Sequence, residues 1–420
     1  MTSNSDNTFF QTYFDYVGET ESPWTYHRWS IVTAVAASLG RQTYVPFGHF
    51  TMYPNLYTLL MGESGARKTG AITIASKLLA KSGYTRFAPN KCSKEQFLKS
   101  MTEQDIPLGP DGQELDLEEL LDRPLKPCNE LFVDADEFPD FIGVGNTEFT
   151  TMLTTLWDGK DKYLHPKLNS ADVEVLDPMV NILGGATQEG FSMAFPPEIM
   201  GQGFASRLLF IYSDPSGVQI TWPKAPCPEL GKDLTEYLRA IRAEIKGPMS
   251  IADDAAEALD KCYKQFPPMG DKRFLPYSSR RFSMLLKLAT TLAAMDLSRV
   301  ITLPHALQAN TMLHYAECRM PKALGEYGKS RNASQQALVL DILDRANGPL
   351  DLTQLWRQLS TDLTRQTDLV EIMKNLSLAE KIKVVQTKAG GAAFVRLHKI
   401  RESWSDSLIL PDFLKLEEME

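Results

Sequence analysis

The sequence predicts an α/β fold built on a parallel sheet, followed by a helical region and a small C-terminal domain. Between residues 56 and 212, short apolar runs typical of buried strands alternate with helical patterns, an order that favours a parallel sheet. From residue 234 to 315 the pattern is helical, and no clear strand signal occurs. A chain of 420 residues, 43% of them hydrophobic, has room for two to four domains.

The individual elements follow from composition and apolar periodicity. The N-terminal region has a small-residue helix, Trp29–Leu39, and a β-like run, Tyr44–Phe47. The strands expected in the sheet are rich in aliphatic and aromatic residues: Leu56–Met61, Leu131–Ala135, Met179–Gly184 and Leu208–Tyr212. The expected helices have a 3.6-residue apolar period: Ala71–Ala80, Phe149–Trp157, Leu234–Ile245, Ala255–Gln265, Ser278–Met295 and Leu303–Tyr315. Residues 102–128 are rich in Pro, Gly and Asp, which indicates a surface insertion containing an acidic helix, Glu114–Asp122.

The last part of the chain has the pattern of a winged helix, with three helices followed by a two-stranded hairpin. The predicted helices are Gln335–Ala346, Leu352–Leu359 and Arg365–Leu378, and the predicted strands are Ile382–Gln386 and Ala393–Leu397. Gly390 and Gly391 supply the turn between the strands. Lys322–Ala333, with two glycines and mixed charge, is the expected linker to this domain.

Composition and charge exclude several classes of protein. The longest apolar stretches are far shorter than the ~20 residues of a membrane-spanning helix, and Met1–Asn7 is polar, without a signal-peptide core. The five cysteines form no C-x-x-C pair, which excludes a disulfide scaffold and a spaced zinc site. A net charge of −9 excludes a basic nucleic-acid coat. We therefore expect a soluble cytoplasmic protein with no membrane partner.

The segment Gly62–Thr69 has the composition of a phosphate-binding loop. It follows a predicted strand and precedes a predicted helix, so its backbone N–H groups and the helix N-terminus would surround an anion. In the pattern G-x-x-x-x-G-K-[ST], Lys68 reaches the β- and γ-phosphates and Thr69 holds Mg²⁺. The expected nucleotide-contacting residues are Gly62, Glu63, Ser64, Gly65, Ala66, Arg67, Lys68, Thr69 and Gly70.

Arg67 stands where that pattern has its second glycine. If this position must be left-handed, arginine costs roughly 1–2 kcal/mol. Alternatively, the loop is wound differently and Gly65 makes the turn. Both readings stay open at this point.

An acidic strand end follows the loop, as a nucleotide hydrolase requires. The strand Leu131–Ala135 runs into Asp136 and Glu137. We expect Asp136 to order Mg²⁺ and Glu137 to polarise the attacking water. Asp134 is the competing metal ligand if the strand ends earlier.

Three further polar residues are candidates for the hydrolytic site. Thr187 and Gln188 follow a strand that ends in glycines, where a hydroxyl or an amide would lie beside the γ-phosphate; the alternative is a helix N-cap. Arg207 precedes the strand Leu208–Tyr212, and it would contact a γ-phosphate of its own or of a neighbouring subunit. Its alternative is an ordinary ion pair. Arg280 and Arg281 are weaker candidates for the same contact.

At these motifs the chain resembles a family of phosphate-loop ATPases of phages and plasmids, known as replicative DNA helicases or primase-associated helicase-like proteins. The similar segments cover roughly residues 15–325: Glu21–Trp24, His27–Trp29, Pro54–Tyr57, Gly62–Thr69, Asp136–Glu137, Leu183–Gln188 and Gly203–Arg207. The Arg-Lys-Thr form of the loop looks like a feature of this group. The resemblance implies a RecA- or AAA-like P-loop NTPase fold, ATP hydrolysis, assembly into a ring, hexameric in our prediction, and work on DNA.

Basic residues in the winged-helix region support DNA binding independently of that resemblance. Residues 331–401 carry eleven Lys and Arg against seven Asp and Glu. The candidates for phosphate contact lie on the third helix and in the hairpin: Arg365, Lys374, Lys381, Lys383 and Lys388. A plain protein–protein role of the winged helix is the alternative.

The sequence thus predicts five parts: an N-terminal helical region 1–52, a P-loop core 53–217, a helical subdomain 218–328, a winged helix 329–400 and an acidic tail 401–420. The leading hypothesis is an ATP-dependent motor on single-stranded or forked DNA, a phage replicative helicase acting in the host cytoplasm. The alternative is an initiator or helicase loader that uses ATP as a switch, and a third is a scaffold that no longer hydrolyses ATP. The tail would dock on replication proteins, compete with DNA for a basic surface or remain solvated.

Overall fold

The computed structural model consists of two compact units: residues 1–325 with 404–420, and residues 326–403. The predicted N-terminal region, P-loop core and helical subdomain therefore lie in one unit as far as residue 325. The structure describes residues 8–102, 129–166, 172–195, 203–267, 269–325, 335–336, 338–340, 342–343, 346, 348–360, 363, 365–378, 381–386, 391–396, 406–410 and 413. The predicted helix Glu114–Asp122 lies outside the described residues.

The first unit is largely helical, and its strands are short. Its α-helices are α1 (Thr8–Val17), α2 (Trp24–Leu39), α3 (Lys68–Lys81), α4 (Lys94–Thr102), α5 (Phe138–Ile142), α6 (Thr147–Trp157), α7 (Gln188–Ala194), α8 (Pro228–Glu244), α9 (Asp253–Gln265), α10 (Leu275–Ser278), α11 (Arg281–Met295) and α12 (Leu303–Ala323). Its strands are β1 (Thr43–Phe47), β2 (Phe50–Met52), β3 (Tyr57–Met61), β4 (Glu130–Ala135), β5 (Lys162–His165), β6 (Val173–Leu176), β7 (Met179–Ala186), β8 (Leu209–Tyr212), β9 (Gly247–Pro248), β10 (Ser250–Ile251) and β11 (Val300–Ile301).

Four of these strands form a parallel sheet in the order β4-β7-β3-β8. Strand β3 pairs with β7 from Tyr57↔Ile182 to Met61↔Ala186, and β8 pairs with the other side of β3. Every residue of β3, β7 and β8 is buried, as expected for parallel strands covered on both faces. The predicted α/β class with a parallel sheet is confirmed.

Helix α2 lies at the centre of the packing. All its residues from Tyr26 to Leu39 are buried, because the helix is surrounded by β3, β7, α3, α8 and α11. From Trp29 to Leu39 its sequence is accordingly apolar or small on all sides rather than on one face. A hydrogen bond of 2.7 Å joins the hydroxyls of Thr33 on α2 and Thr58 on β3. These contacts fix the sheet edge that carries the candidate site.

The predicted elements recur with shifted ends, and one expectation is wrong. The region after residue 229 was expected to lack strands, but the two-residue strands β9, β10 and β11 occur there, with β9 paired to β1 and β10 to β11. Such short pairings have no periodicity, so the pattern could not indicate them. Helix α12 also continues past Tyr315 to Ala323, through Pro321.

The second unit combines helices with a three-stranded antiparallel sheet. Its described elements are β12 (Leu350–Asp351), α13 (Leu352–Leu359), α14 (Gln366–Leu378), β13 (Ile382–Gln386) and β14 (Ala392–Arg396), with sheet order β12-β14-β13. These bounds confirm the predicted hairpin and the last two predicted helices. Strand β12 was not predicted. Helix α13 begins with a capping box between Asp351 and Gln354, and Leu355, Leu369 and Phe394 belong to the core.

Leu408, Leu410 and Phe413 of the acidic tail, which belong to the first unit, contact two helices of that unit. The carbonyl of Leu408 accepts a hydrogen bond from Asn310 Nδ2 (2.8 Å), and Leu410 N donates to Thr311 Oγ1 (2.9 Å). The centre of the Phe413 ring lies 4.9 Å from the guanidinium carbon of Arg28. This part of the tail is therefore packed on α2 and α12. None of the helices in the described ranges is long and apolar enough to cross a bilayer.

Candidate functional site

The carboxyl ends of the parallel strands meet at one edge of the sheet, where a cavity of about 940 Å³ opens. The loop after β3 lines it, and so do Asp136 and Glu137 after β4 and Thr187 after β7. In open parallel sheets, ligands bind outside the carboxyl ends of the strands. The position of the cavity in the fold therefore predicts a ligand site.

Most of the predicted nucleotide-contacting loop faces this cavity. The lining residues are Ser64, Gly65, Arg67, Lys68, Thr69 and Gly70. The other three predicted residues, Gly62, Glu63 and Ala66, support the loop, because Ala66 N donates to Glu63 O (3.2 Å) and the carbonyls of Gly62 and Glu63 accept from Lys68.

The loop turns at two residues with positive φ. Gly65 has φ 87°, and Arg67, which immediately precedes α3, has φ 57° and ψ 32°. The backbone therefore follows the first reading: Arg67 is itself left-handed, and the turn at Gly65 does not replace that conformation. A left-handed arginine is unfavourable by roughly 1–2 kcal/mol, so neighbouring contacts must hold it.

Glu21 and Ser22, from the segment before α2, make those contacts. Arg67 Nε lies 2.6 Å from Glu21 Oε2, and Ser22 Oγ donates to the Arg67 carbonyl (2.7 Å). Glu21 also accepts a hydrogen bond from Ile220 N (2.8 Å). This backbone donor, followed by the Arg67 charge, lowers the pKa of Glu21, and the carboxylate thus fixes the loop to two distant segments.

Tyr26 fixes the first residue of the loop. Its hydroxyl donates to the carbonyls of Met61 (2.7 Å) and Ser213 (3.1 Å), so it joins the carboxyl ends of β3 and β8. A Cβ at Gly62 would collide with this hydroxyl and would lie 3.0 Å from the Ser213 carbonyl. Glycine is required at 62 by this close approach.

Lys68 begins α3 with its side chain folded over the loop. Nζ donates to Gly62 O (3.0 Å) and Glu63 O (2.9 Å). Burial lowers the pKa of Lys68, and the nearby Glu137 carboxylate opposes that shift. The ammonium is thus held beside the cavity by two neutral carbonyls, which a phosphate can replace as partners.

The acidic residues at the end of β4 differ in the cavities that they line. Asp136 and Glu137 line both the main cavity and a neighbouring cavity of about 600 Å³, whereas Asp134, inside β4, lines only the neighbouring one. Burial raises the pKa of both Asp134 and Asp136. Because Asp134 does not line the main cavity, the geometry favours Asp136 as the metal ligand.

The residues at the main cavity fit a Mg²⁺ ion that arrives with phosphate. Within the described ranges, no group of three or more His, Cys, Asp or Glu side chains is arranged to hold a metal ion. Mg²⁺ needs fewer protein ligands, since one or two oxygen ligands usually combine with phosphate oxygens and water. Thr69 and Asp136 supply a hydroxyl and a carboxylate at the same cavity.

Thr187 and Gln188 point to different partners. Thr187 is the N-cap of α7, where its hydroxyl accepts from Gly190 N (3.0 Å), and it also lines the cavity. Gln188 Nε2 donates to the carbonyl of Lys322 (2.5 Å). The structure therefore brings Thr187, but not Gln188, together with Lys68 and Glu137.

Arg207 lies at the opposite edge of the sheet. It precedes β8, and β8 is parallel to β3, so about 13 Å of strand separates it from the carboxyl edge. Its guanidinium binds both carboxylate oxygens of Asp158 (2.7 and 2.8 Å) and lies 5.5 Å from the Trp157 ring centre. Arg207 is not among the residues that line the main cavity of its own chain.

The two weaker arginine candidates also lie elsewhere. Arg280 is 3.8 Å from Asp158. Arg281 is buried, with its Nε 2.6 Å from Glu317 and a further bond to Asn310 (3.0 Å).

The predicted DNA-contacting residues of the second unit are accessible where the structure describes them. Arg365, Lys374, Lys381 and Lys383 are all exposed, and Lys383 lies in β13. Lys388 lies outside the described residues. The unit thus presents cations around its helix and hairpin.

Sequence reasoning missed two segments that line the cavity. One contributes Tyr16, Val17 and four residues from Glu19 to Ser22, and the other includes Ile220, Pro223 and Pro226. The motif Glu21–Trp24 was a signal for the first, but nothing in it indicated a contact with residue 67. Comparison with protein-family models and with curated proteins gave no match. The functional interpretation therefore rests on the geometry of the cavity.

Proposed function

We propose that the protein binds ATP with Mg²⁺ in this cavity and hydrolyses it, as a P-loop NTPase. The observation that carries the proposal is that Lys68, Thr69, Asp136 and Glu137, which come from two distant segments, line one cavity at the carboxyl edge of a parallel sheet. A lysine, a hydroxyl and two carboxylates are the groups that phosphoryl transfer requires.

Binding uses the loop and the start of α3. The first N–H groups of a helix have no intrahelical acceptor, and they carry partial positive charge. Those of Lys68, Thr69 and Gly70 therefore bind phosphate oxygens. Lys68 exchanges its bonds with the Gly62 and Glu63 carbonyls for bonds to the β- and γ-phosphates.

Hydrolysis uses the carboxylates. Thr69 and Asp136 would hold Mg²⁺, which would supply positive charge to the phosphate oxygens. Glu137 orients a water molecule and accepts its proton as the water oxygen bonds to the γ-phosphorus and the bond from that phosphorus to the bridging oxygen breaks, with ADP as the leaving group. Thr187 lies at the same cavity and can hydrogen-bond the γ-phosphate.

The test separates binding from chemistry at Glu137. Glu137→Gln is expected to bind a fluorescent ATP analogue with unchanged affinity and to release phosphate at least ~100-fold more slowly, since a general base contributes roughly 10²–10⁴-fold. Asp140→Asn, an exposed acid on α5, is the matched control and should behave as wild type. Phosphate release by Glu137→Gln at the wild-type rate would overturn the assignment.

For the second unit we propose a winged-helix role in DNA binding. The support is the predicted helix and hairpin pattern, together with the exposed Arg365, Lys374, Lys381 and Lys383. Neutralising two of them, as in Lys381→Ala/Lys383→Ala, is expected to weaken binding to single-stranded DNA. The slope of log affinity against log salt concentration should also become shallower, because about two fewer phosphates are neutralised. Equal affinity and equal salt slope would remove this role.

Together the two units support an ATP-dependent DNA motor, a replicative helicase that assembles into a hexameric ring in the host cytoplasm. ATP hydrolysis would move subunits relative to one another and thereby advance DNA. The measurement is strand separation on a forked duplex. Intact ATPase activity without any strand separation contradicts the motor.

The second candidate is an ATP-switched initiator or loader, and the pairing of Arg207 with Asp158 favours it. An arginine that hydrogen-bonds both oxygens of a carboxylate in its own chain is not free to stabilise a transition state in a neighbouring subunit. ATP turnover would therefore be slow. Oligomers that form with ATP, hydrolyse it slowly and separate no strands are the expected result for this function. Absence of ATP binding would leave only the scaffold.

A further inference from the structure

The main cavity extends beyond the phosphate loop. Besides the loop and residues of α3, it is lined by two segments, one before α2 and one before α8. Their apolar and aromatic members are Tyr16, Val17, Ile220, Pro223 and Pro226, and their polar members are Glu19, Thr20, Glu21, Ser22 and Lys224. The cavity volume of about 940 Å³ is at the upper end of the ~300–1,000 Å³ of small-molecule sites. A triphosphate with its metal ion fills only part of such a space.

None of the five residues Tyr16, Val17, Ile220, Pro223 and Pro226 is charged. Four are aliphatic or proline, and Tyr16 contributes a half-buried aromatic ring. The ring packs closely against Gly231 on α8, where a Cβ would lie 2.9 Å from it. Apolar and aromatic linings with few polar groups are typical of sites for planar organic ligands.

Hydrogen bonds and an ion pair join the segment before α2 to the segment before α8. Ser216 Oγ donates to Glu21 O (2.7 Å), and Ile220 N donates to the Glu21 carboxylate (2.8 Å). Lys224 and Glu19 form an ion pair at 2.8 Å. Rigid walls of this kind reduce the entropy lost on binding.

The same contacts connect this region to the phosphate loop. Glu21 binds Arg67 as well as Ile220, and Ser22 binds the Arg67 carbonyl. The phosphate loop and the two segments before α2 and α8 are thus joined by hydrogen bonds. A single ligand that occupies both parts of the cavity would contact all three.

We propose that the region lined by Tyr16, Val17, Ile220, Pro223 and Pro226 is a nucleobase subsite that holds a purine ring, while the loop holds the phosphates. A purine fits better than a pyrimidine because it covers more apolar surface. The inference rests on the proposed nucleotide function and names the part of the substrate that the N-terminal segment recognises.

The experiment compares ligands with and without a base on the full-length protein. Titration calorimetry in Mg²⁺ buffer measures the Kd of ATP and CTP, each supplied as its non-hydrolysable β,γ-imido analogue so that no turnover heat is recorded, and of inorganic tripolyphosphate. Wild type is expected to bind ATP roughly tenfold more tightly than tripolyphosphate, since stacking of one base contributes about 1–3 kcal/mol, and CTP is expected to fall between them. Tyr16→Ala should weaken ATP binding by about that factor and leave tripolyphosphate binding unchanged.

Two variants keep the test valid if Tyr16→Ala is unstable. Tyr16→Phe retains the ring and should bind ATP as wild type does. Ile220→Asp changes the other segment and should weaken ATP more than tripolyphosphate, because the new charge repels both ligands but only the base loses an apolar contact. Val218→Asp, at an exposed residue of the same segment that does not line the cavity, should weaken neither. Lys68→Ala should weaken both ATP and tripolyphosphate.

The outcomes separate the two proposals. Equal wild-type affinity for ATP and tripolyphosphate, or equal weakening of both by Tyr16→Ala and Ile220→Asp, overturns the base subsite and leaves the phosphate site standing. If wild type binds neither ligand, the proposed function itself fails.

Discussion

The two edges of the parallel sheet each hold a buried lysine, but the surroundings of the two lysines differ. At the carboxyl edge, Lys68 donates to two loop carbonyls and lines a large cavity. At the amino edge, Lys287 donates to Asn55 Oδ1 and to Tyr53 O (2.8 Å), and its ammonium lies 4.4 Å from the centre of the Trp157 ring.

This difference shows which kind of buried cation is available to a ligand. The carbonyl partners of Lys68 lie beside open space, so a phosphate can take their place. Lys287 is enclosed by an amide, a carbonyl and an aromatic face, and burial lowers its pKa to about 7. Burial of a lysine is thus not itself a sign of function; space next to its ammonium is.

The largest expected effect is the loss of ATPase activity when Lys68 is replaced by a neutral residue, compared with the same kind of replacement at Lys287. Lys68→Ala should lower kcat/KM for ATP at least ~100-fold, which corresponds to about 2.7 kcal/mol of transition-state stabilisation. Lys287→Met should keep ATPase activity within about twofold, because the residue lies at the other edge of the sheet. Steady-state phosphate release decides this, and similar losses in the two variants would end the distinction between the edges.

Much of the carboxyl edge could be predicted from the sequence, because its elements are local. The loop Gly62–Thr69 and the pair Asp136–Glu137 each follow an apolar strand within a few residues, and parallel strands bring such ends together. The contact between Glu21 and Arg67 could not be predicted. It joins residues far apart in the chain, and only the fold determines that α2 begins beside the loop.

The amino edge was harder to predict for a related reason. Arg207 was expected at a γ-phosphate, although it precedes a strand parallel to β3, which places it away from the carboxyl edge. Lys287 reads as the polar residue of an amphipathic helix, yet it is buried because α11 is covered by neighbouring helices. Apolar periodicity indicates a helix. It does not show whether a polar side chain on that helix is exposed to solvent or, like Lys287, hydrogen-bonded to a buried partner such as Asn55.

The second effect is on stability as a function of pH. Lys287 has a pKa of about 7 in the folded protein, against roughly 10.4 in an unfolded chain. Between these values the unfolded state binds more protons, so stability should rise with pH, by up to about 1.4 kcal/mol per pH unit. Chemical denaturation from pH 7 to 9 should show this rise in wild type and a flatter curve in Lys287→Met.

The matched control for that measurement is Lys246→Met, at an exposed lysine outside helices and strands. Its pH dependence should equal that of wild type. If Lys287→Met shows the wild-type slope, the titration of Lys287 is not the cause of the rise.

A smaller effect is expected from the ion pair at the amino edge. Asp158→Asn leaves Arg207, which is 3% exposed, without its carboxylate. Removing one partner of a buried pair costs about 3–5 kcal/mol, and because Asp158 is itself one-third exposed we expect about 2 kcal/mol. Urea denaturation measures the loss. Asp161→Asn, at an exposed partner of Arg41, should cost much less.

The smallest expected effect is on stability, and it concerns the left-handed backbone conformation of Arg67 at the carboxyl edge. Arg67→Ala keeps a side chain at φ 57° and removes the contact with Glu21, so it should be destabilising. Arg67→Gly loses the same contact but relieves the left-handed strain, and it should therefore be about 1 kcal/mol more stable than the alanine variant. The comparison cancels the exposed ion pair, which both variants lack, and isolates the backbone. Thermal and urea denaturation of the two variants should differ in this direction. If the alanine variant is as stable as the glycine variant, Arg67 leaves the left-handed region in solution. In that case Glu21 and Ser22 do not hold the loop as described.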